Sequence, residues 1–569
     1  MGGHWLAPGG KTVPVVAISP ALLCRLVGRP IGDEELIRVL AELGCDVEGI
    51  DSQTGTLSIN LLPARPDLFD VCGLARALRG YLGIETGLAE YRFPDSDVRV
   101  LVKPGLEGVR PFIASAVVHG VRLDDELVAV IMDLQENLHW GLGRDRRRAS
   151  IGIYDLNTIK PDIIYQPVKP DGVKFVPLGL DTPLTPEEIL ASHPKGQAYR
   201  HLLNGLPVYP LLADARNRVL SMPPIINSEE TKVTPQTTDI FIDVTGPESG
   251  AVSRTLSVIA AVFADLGGRV ERVRVEYPDG KIWQTPDMSP EPMCLDPAEV
   301  RQIIGINPDI SETVQLLRRM RYGAEPLPDR RIRVLVPAYR SDVMHTRDLI
   351  EDVAIAYGYH RLKPEILPTV TSSQPSRLEE FCVLVRRVMT GLGFIEIMSL
   401  NLSSPEAQFE KLGIPDDGRT VILENPISVE QRILRRHLLA GIMETMSLNS
   451  TQPYPQKIFE IGDAFELDPQ AETSARSRRQ LALGIADAKT GFAELRQILE
   501  ALGRELDWEL GFAPEDRMPF IPGRSAIIIS AAGERVGSGG EVHPEVLERL
   551  GIGVPVVLAQ LDLDRLFRS

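Results

Sequence analysis

Residues 331–359 of this 569-residue chain place an alternating apolar run directly before a helix that carries stacked acids. Ile332, Val334 and Val336 alternate as in a strand, and Arg347 to Tyr357 reads as the helix that follows. On that helix Asp348, Glu351 and Asp352 stand at i, i+3 and i+4 and share one face, with Asp342 just ahead of its start. Four carboxylates converging there repel one another unless a cation sits among them. An all-oxygen, charge-dense set suits Mg2+ or Ca2+ rather than zinc. The competing explanation is simpler: acids are favoured near helix N-termini by the backbone dipole. Spacing alone leaves both open.

The chain is too long for one hydrophobic core and calls for roughly three or four domains. Its 43% apolar and 24% charged residues are ordinary for a soluble globular protein. Met1 to Lys11 has no apolar run behind a basic cluster, so no signal peptide is expected. No stretch approaches the roughly 20 apolar residues of a membrane helix, and no membrane partner is expected. Cys24, Cys45, Cys72, Cys294 and Cys382 form no C-x-x-C pair, which favours a reducing, cytoplasmic compartment. A net charge of −17 argues against coating nucleic acid by charge alone, though not against a local basic patch or a basic partner.

Four segments follow from the punctuation. In residues 1–95, Val15 to Ser19 reads as a strand, and Asp33 as the cap of a helix ending at Gly44. The turn Leu62 to Leu68 then feeds a helix to Leu82, with Leu74, Leu78 and Leu82 at helical spacing. Residues 100–280 hold Gln135 and His139, the basic run Arg144, Arg146, Arg147 and Arg148, and the strand Phe241 to Thr245 with Asp243. A helix from Ser249 to Leu266 is expected behind that strand. In residues 287–363, Asp296 and Glu299 with Pro297 form a capping box, and a second helix runs from Ser311 to Tyr322. Two short helices, a strand and the acidic helix make a small winged-helix-like module. Residues 367–569 open with a helix from Arg377 to Leu392 and continue as strand-like material.

The acidic stretch has the form P-x-x-R-x-D from Pro337 to Asp342, five residues, D-x-x-E-D from Asp348 to Asp352, then A-x-x-Y-G-Y to Tyr359. This pattern resembles the β subunit of phenylalanyl-tRNA synthetases. The Arg65-Pro-Asp-Leu68 turn, Asp133 to Asp155, Pro223 to Gly246, Glu424 to Pro426, Lys457 to Asp463 and Gly537 to Glu545 extend the resemblance along nearly the whole chain. It implies an α+β multidomain fold: an N-terminal module, a central α/β editing domain, the winged-helix-like module, and a C-terminal antiparallel core like that of class II synthetases but without its active site. It implies the short, archaeal or eukaryotic-like type, in an α2β2 enzyme that joins phenylalanine to its tRNA with ATP bound by the α subunit. It implies Mg2+ on Asp342, Asp348, Glu351 and Asp352. It further implies that the central domain proofreads mischarged tyrosyl-tRNA, with Asp243, Thr245, Gln135 and His139 around an editing pocket and Arg144, Arg146, Arg147 and Arg148 toward the tRNA.

Class II aminoacylation needs one arginine on a core strand and a second in a glycine-rich strand–helix element to hold the ATP phosphates. Arg435 and Arg436 suggest the first, but no G-x-G-x-x-R partner follows. Gly537, Gly539 and Gly540 precede His543-Pro544 and are expected in a tight turn. No catalytic residue for aminoacylation is therefore assigned. His139 and His543 lack a second histidine or a cysteine pair nearby, which disfavours zinc. Two alternatives stay in view: a stand-alone nucleic-acid-binding protein using the winged-helix-like module, and a stand-alone hydrolase of misacylated tRNA.

Overall fold

The computed structural model describes residues 15–568 apart from 52, 61, 62, 368, 370 and 371. Residues 1–14 of the expected N-terminal module, and Leu62 at the head of its turn, lie outside the described residues. The fold is α+β and multidomain, dividing into two compact units between Ile366 and Leu367.

The first unit opens with a three-stranded antiparallel sheet ordered Val15–Ile18, Leu57–Asn60, Asp46–Ile50. A helix over Pro20–Val27, which the apolar spacing does not announce, is bounded by the Ser19 cap and by Gly28 at φ 86°. Asp33 is the first residue of its helix, with Gly32 at the cap, so its carboxylate helps the dipole rather than capping a backbone N–H. The next helix starts at Val71, not Leu68, because the Asp70 carboxylate takes the N–H groups of Cys72 and Gly73.

A ten-stranded mixed sheet forms the centre of this unit. One half of it, out to the edge strand, is ordered Asp95–Val102, Arg269–Glu276, Phe112–His119, Ile240–Gly246, Ser150–Asp155. Strand Ile240–Gly246 is buried on both faces, and its alternation sorts the residues. Ile240, Ile242 and Val244 join one core with Val252, Leu256 and Ile259 of the helix Ser249–Asp265. Phe241 packs in a second core on the other face with Tyr154, Ile113 and Val117. Period two therefore puts Asp243 and Thr245 on the Phe241 face, away from the helix.

A third sheet, ordered Glu291–Leu295, Ile332–Val336, Gly323–Pro326, carries the helices Pro297–Ile304, Ile310–Arg319 and Thr346–Tyr357. Asp296 caps the first of these through the Ala298 N–H, and Asp309 rather than Ser311 opens the second. Leu316, Val334, Ile350 and Val353 share a continuous core with Leu74 and Leu78 of the N-terminal module.

The second unit is built on a seven-stranded sheet, antiparallel except for the pairing of Ile395–Glu396 with Gln456–Leu467. Helices Arg377–Gly391 and Phe492–Leu506 contribute Cys382, Val385, Leu495 and Leu499 to one core cluster; Leu439–Leu448 contributes Ile442 and Met446 to another. The expected tight turn at Gly537, Gly539 and Gly540 is a strand, Arg535–Val542. Glycine is needed there for space: a Cβ at Gly537 would lie 2.3 Å from the Gln560 carbonyl oxygen, and one at Gly540 would lie 2.9 Å from that of Arg524.

Candidate functional site

Pairing of Ile240–Gly246 with Ser150–Asp155 sets Asp243 opposite Gly152 and Phe241 opposite Tyr154. The Tyr154 ring stacks on Phe241 with centroids 6.1 Å apart. From there its hydroxyl reaches back over Gly152 and donates to Asp243 Oδ1 at 2.5 Å, with Ser221 Oγ 2.7 Å away. A Cβ on Gly152 would stand 1.9 Å from that hydroxyl and 2.4 Å from Asp243 Oδ1, so the arrangement requires glycine. Asp243 is 1% exposed. Burial pushes its carboxyl up to about 7, against the opposing pull of the Tyr154 hydrogen bond and the Arg110 charge.

This carboxylate forms part of the wall of a cavity of ≈ 100 Å³, along with Gln135, Arg146, Ser150, Tyr154, His193, Lys195, Ser221 and Asn227. Gln135 reaches it while its amide donates to the Ile151 carbonyl at 3.0 Å. Two expected pocket residues do not line it. Thr245 is completely buried, where its hydroxyl accepts from Arg110 Nε at 2.9 Å and shares a hydrogen bond with Ser150. His139 is also buried, and its Nε2 accepts the Ile151 N–H at 2.8 Å. Burial holds the imidazole down to about 4, so it is neutral near pH 7 and serves to fix the strand.

The basic run does not form one phosphate-facing surface. Arg144, Asp145 and Arg146 all have positive φ (45°, 53° and 66°), a left-handed turn that non-glycine residues rarely adopt. That turn sends Arg146 inward. Its guanidinium donates to the Pro224 and Ile225 carbonyls at 3.2 and 2.8 Å, meets Glu136 at 2.9 Å and lies over the Tyr199 ring. Arg146 thus forms part of the cavity wall. Arg148 pairs with Glu248 at 2.5 Å, while Arg144 and Arg147 are exposed. Tyr154, Ser221, His193 and Lys195 carry no sequence signal of their own. They meet through strand pairing and loops that join positions as far apart as 152 and 243.

The acidic motif folds as a helix, Thr346–Tyr357, but its acids are engaged separately. Asp348 Oδ2 accepts the Met344 and His345 N–H groups, both at 2.8 Å, and so caps the helix. Arg340, buried between Asp342 and Asp352, donates to the first at 2.9 and 2.8 Å and to the second at 2.7 Å. The Tyr322 hydroxyl also bonds Asp352. Glu351 is exposed. The cation among these acids is thus a guanidinium. Among the described residues no three histidine, cysteine, aspartate or glutamate side chains are grouped to hold a metal ion. As arranged here, the four expected ligands do not fit one Mg2+, because two have their oxygens on Arg340 and one caps the helix.

In the second unit Arg435 is buried against Glu460 at 2.6 Å, with its Nε on the Asp463 carbonyl. Arg436 donates to the Phe465 carbonyl and to Asp417, both at 2.9 Å. Both guanidinium groups are engaged within the fold.

Three family profiles match: the B3/4 domain over residues 125–273, the tRNA synthetase B5 domain over 293–359, and the phenylalanyl tRNA synthetase beta chain CLM domain over 364–563. The phenylalanine–tRNA ligase beta subunit of Methanothrix thermoacetophila is 40% identical over 551 residues, covering 97% of this chain and all of that protein. The one from Pyrococcus furiosus is 39% identical over 560 residues, 98% of this chain and all of that protein. A crystal structure of an N-terminal fragment of the phenylalanyl-tRNA synthetase beta subunit from Pyrococcus horikoshii superposes with a TM-score of 0.58 at 38% identity, covering 60% of this chain and 99% of the fragment.

Proposed function

The chain belongs to the family of phenylalanine–tRNA ligase β subunits, and we propose that its central cavity is where that enzyme hydrolyses mischarged tyrosyl-tRNA. The complex of β with its α subunit is the ligase that charges tRNA with phenylalanine. Likeness over nearly the full chain removes both stand-alone alternatives raised by the sequence.

The single observation that carries the proofreading reading is Asp243: a buried carboxylate on the wall of a cavity, poised near neutrality by its surroundings. An apolar pocket selecting phenylalanine rejects one added hydroxyl only about a hundredfold, so a second site that hydrogen-bonds this hydroxyl improves fidelity. Arg144 and Arg147 are the exposed cations left to meet the tRNA end. In the reconstituted complex, Asp243→Ala is expected to slow deacylation of tyrosyl-tRNA roughly a hundredfold while phenylalanine charging survives. A wild-type complex that leaves mischarged tRNA intact at the uncatalysed rate would refute the proposal.

For the rest of the chain we take residues 1–95 as an N-terminal module, 100–280 as the editing domain, 287–363 as a winged-helix-like module, and 367–569 as a class II-like core without a synthetic site. Engagement of Arg435 and Arg436 within that core supports assigning ATP to the α subunit. Ile395, Met398, Leu400 and Ile427 are exposed on the second unit, Met398 by 94% and Ile427 by 91%, and exposed apolar side chains of this kind suit docking of α in an α2β2 assembly. A magnesium ion at the acidic motif would have to draw on Glu351, Asp348 and donors from the partner subunit, since Arg340 holds Asp342 and Asp352.

A further inference from the structure

We propose that Tyr154 is the positioning residue of the cavity, its hydroxyl fixing the Asp243 carboxylate so that one oxygen is left to receive a hydroxyl donor from the ligand. The inference rests on the proofreading reading above and deepens it. Tyr154 is buried, and its ring stacks at 26° on Phe241, its partner across the strand pair, two positions from Asp243 and Gly152. A phenol in the interior normally finds one partner; this one has two, Asp243 at 2.5 Å and Ser221 at 2.7 Å. Ser221 stands on a different strand, Val219–Met222, so the hydroxyl ties both sides of the cavity to the carboxylate.

Glycine at 152 is an independent mark of the same device. Any Cβ there would collide with the Tyr154 hydroxyl and with Asp243 Oδ1 together, so the backbone is kept bare where the phenol crosses it. Among the described residues the hydrogen bond to the Asp243 carboxylate goes to Oδ1. The second oxygen is therefore left to accept from a phenolic hydroxyl, the group that distinguishes tyrosine from phenylalanine. Asp243 cannot swing to meet a ligand, because Tyr154 holds it in place. Recognition then needs no reorganisation when the ligand enters.

The charged and titratable groups bearing on Asp243 are few. Tyr154 donates to it from the neighbouring strand, and the Arg110 charge draws its carboxyl down. Tyr165 feels the charges of both Arg110 and Asp243. Removing the Tyr154 hydroxyl removes a bond that favours the ionised carboxylate. Its titration must then move to higher pH.

The test uses the assembled α and β subunits and tyrosyl-tRNA as substrate, comparing wild type, Tyr154→Phe and Gly152→Ala across pH 6 to 9. Tyr154→Phe is expected to lower kcat/KM for deacylation roughly tenfold at neutral pH, mainly through KM, and to shift the rising limb of the pH profile upward. Gly152→Ala, which displaces the same hydroxyl, should reproduce both effects. Phenylalanine charging by the same preparations should stay at the wild-type rate, which reports that the chain is folded and assembled. If wild type deacylates and Tyr154→Phe matches it in rate and pH profile, Tyr154 is only core packing and the proposal is overturned. A slowed variant with an unmoved profile overturns it as well. If wild type itself does not deacylate, the proofreading reading falls and takes this inference with it.

Discussion

Asp243 sits where a carboxylate is costly to ionise, and that cost can be measured. Its carboxyl is raised from 3.8 to about 7 in the fold. Between those values the unfolded chain has lost the proton while the folded chain keeps it, so this residue lowers stability as pH rises from about 4 to about 7. Asp243→Asn can still accept from Tyr154 but has no charge to bury. It is expected to unfold at a higher temperature than wild type at pH 8 and at the same temperature at pH 4. Equal midpoints at pH 8 would mean that the carboxylate is better solvated than its burial implies. His139 acts with the opposite sign. Burial lowers its imidazole from 6.5 to about 4, so on acidification the unfolded chain takes up the proton first and stability is lost from about pH 6.5 down to pH 4. His437 behaves in the same way in the second unit, where burial and the nearby Arg436 and Arg517 charges hold it at about 4. His139→Gln, whose amide oxygen can take the Ile151 N–H, should reduce the acid loss measured by thermal denaturation of the chain. An unchanged acid limb would assign the loss elsewhere.

At the scale of elements, the helix Thr346–Tyr357 shows how much a spacing argument carries and where it stops. The face shared by Asp348, Glu351 and Asp352, and the need for a nearby positive charge, are legible from the sequence. Which cation answers that need is not, because Arg340 reaches Asp352 only when Ile332–Val336 and Thr346–Tyr357 are packed together around Tyr322. The expected consequences are separable by chemical denaturation. Asp352→Ala leaves the buried Tyr322 hydroxyl unpaired and Arg340 held by Asp342 alone, and should cost about 3–5 kcal/mol, with or without Mg2+. Asp348→Ala should cost about 1 kcal/mol as a lost cap, and exposed Glu351→Ala less than about 0.5 kcal/mol. A Mg2+-dependent stability of the chain alone that vanishes in Glu351→Ala would show that the acids gather around an ion after all. The run Arg144 to Arg148 was opaque for a related reason. Charge spacing cannot say which side chains turn inward, and three positive φ angles decide it. Gly537, Gly539 and Gly540 mislead similarly, since glycine serves a turn and a close strand contact equally well until the neighbouring strand Val556–Asp562 is in place.

At the scale of the whole molecule, the break between Ile366 and Leu367 falls between the last two expected segments. Asp243 and Gln135 line the cavity as the family resemblance implies, but no local pattern separates them from Thr245 and His139, which the same resemblance named and the cavity leaves out. Their partners Tyr154, Ser221 and Lys195 are supplied by tertiary pairing, which no local pattern encodes. The division of labour between subunits makes a further prediction. With Arg435 and Arg436 engaged inside the second unit, the chain alone should show no phenylalanine-dependent exchange of pyrophosphate into ATP, and activity should appear on adding α. Exchange by β alone would contradict that division. The claim that the central cavity proofreads tyrosine is tested most directly by the crystal structure of the α–β complex with a hydrolysis-resistant tyrosyl-adenosine analogue. The phenol of the analogue is predicted to lie in the cavity with its hydroxyl on Asp243 and Tyr154 undisplaced. An analogue bound only at the α subunit, with this cavity unchanged at saturating concentration, would contradict the assignment.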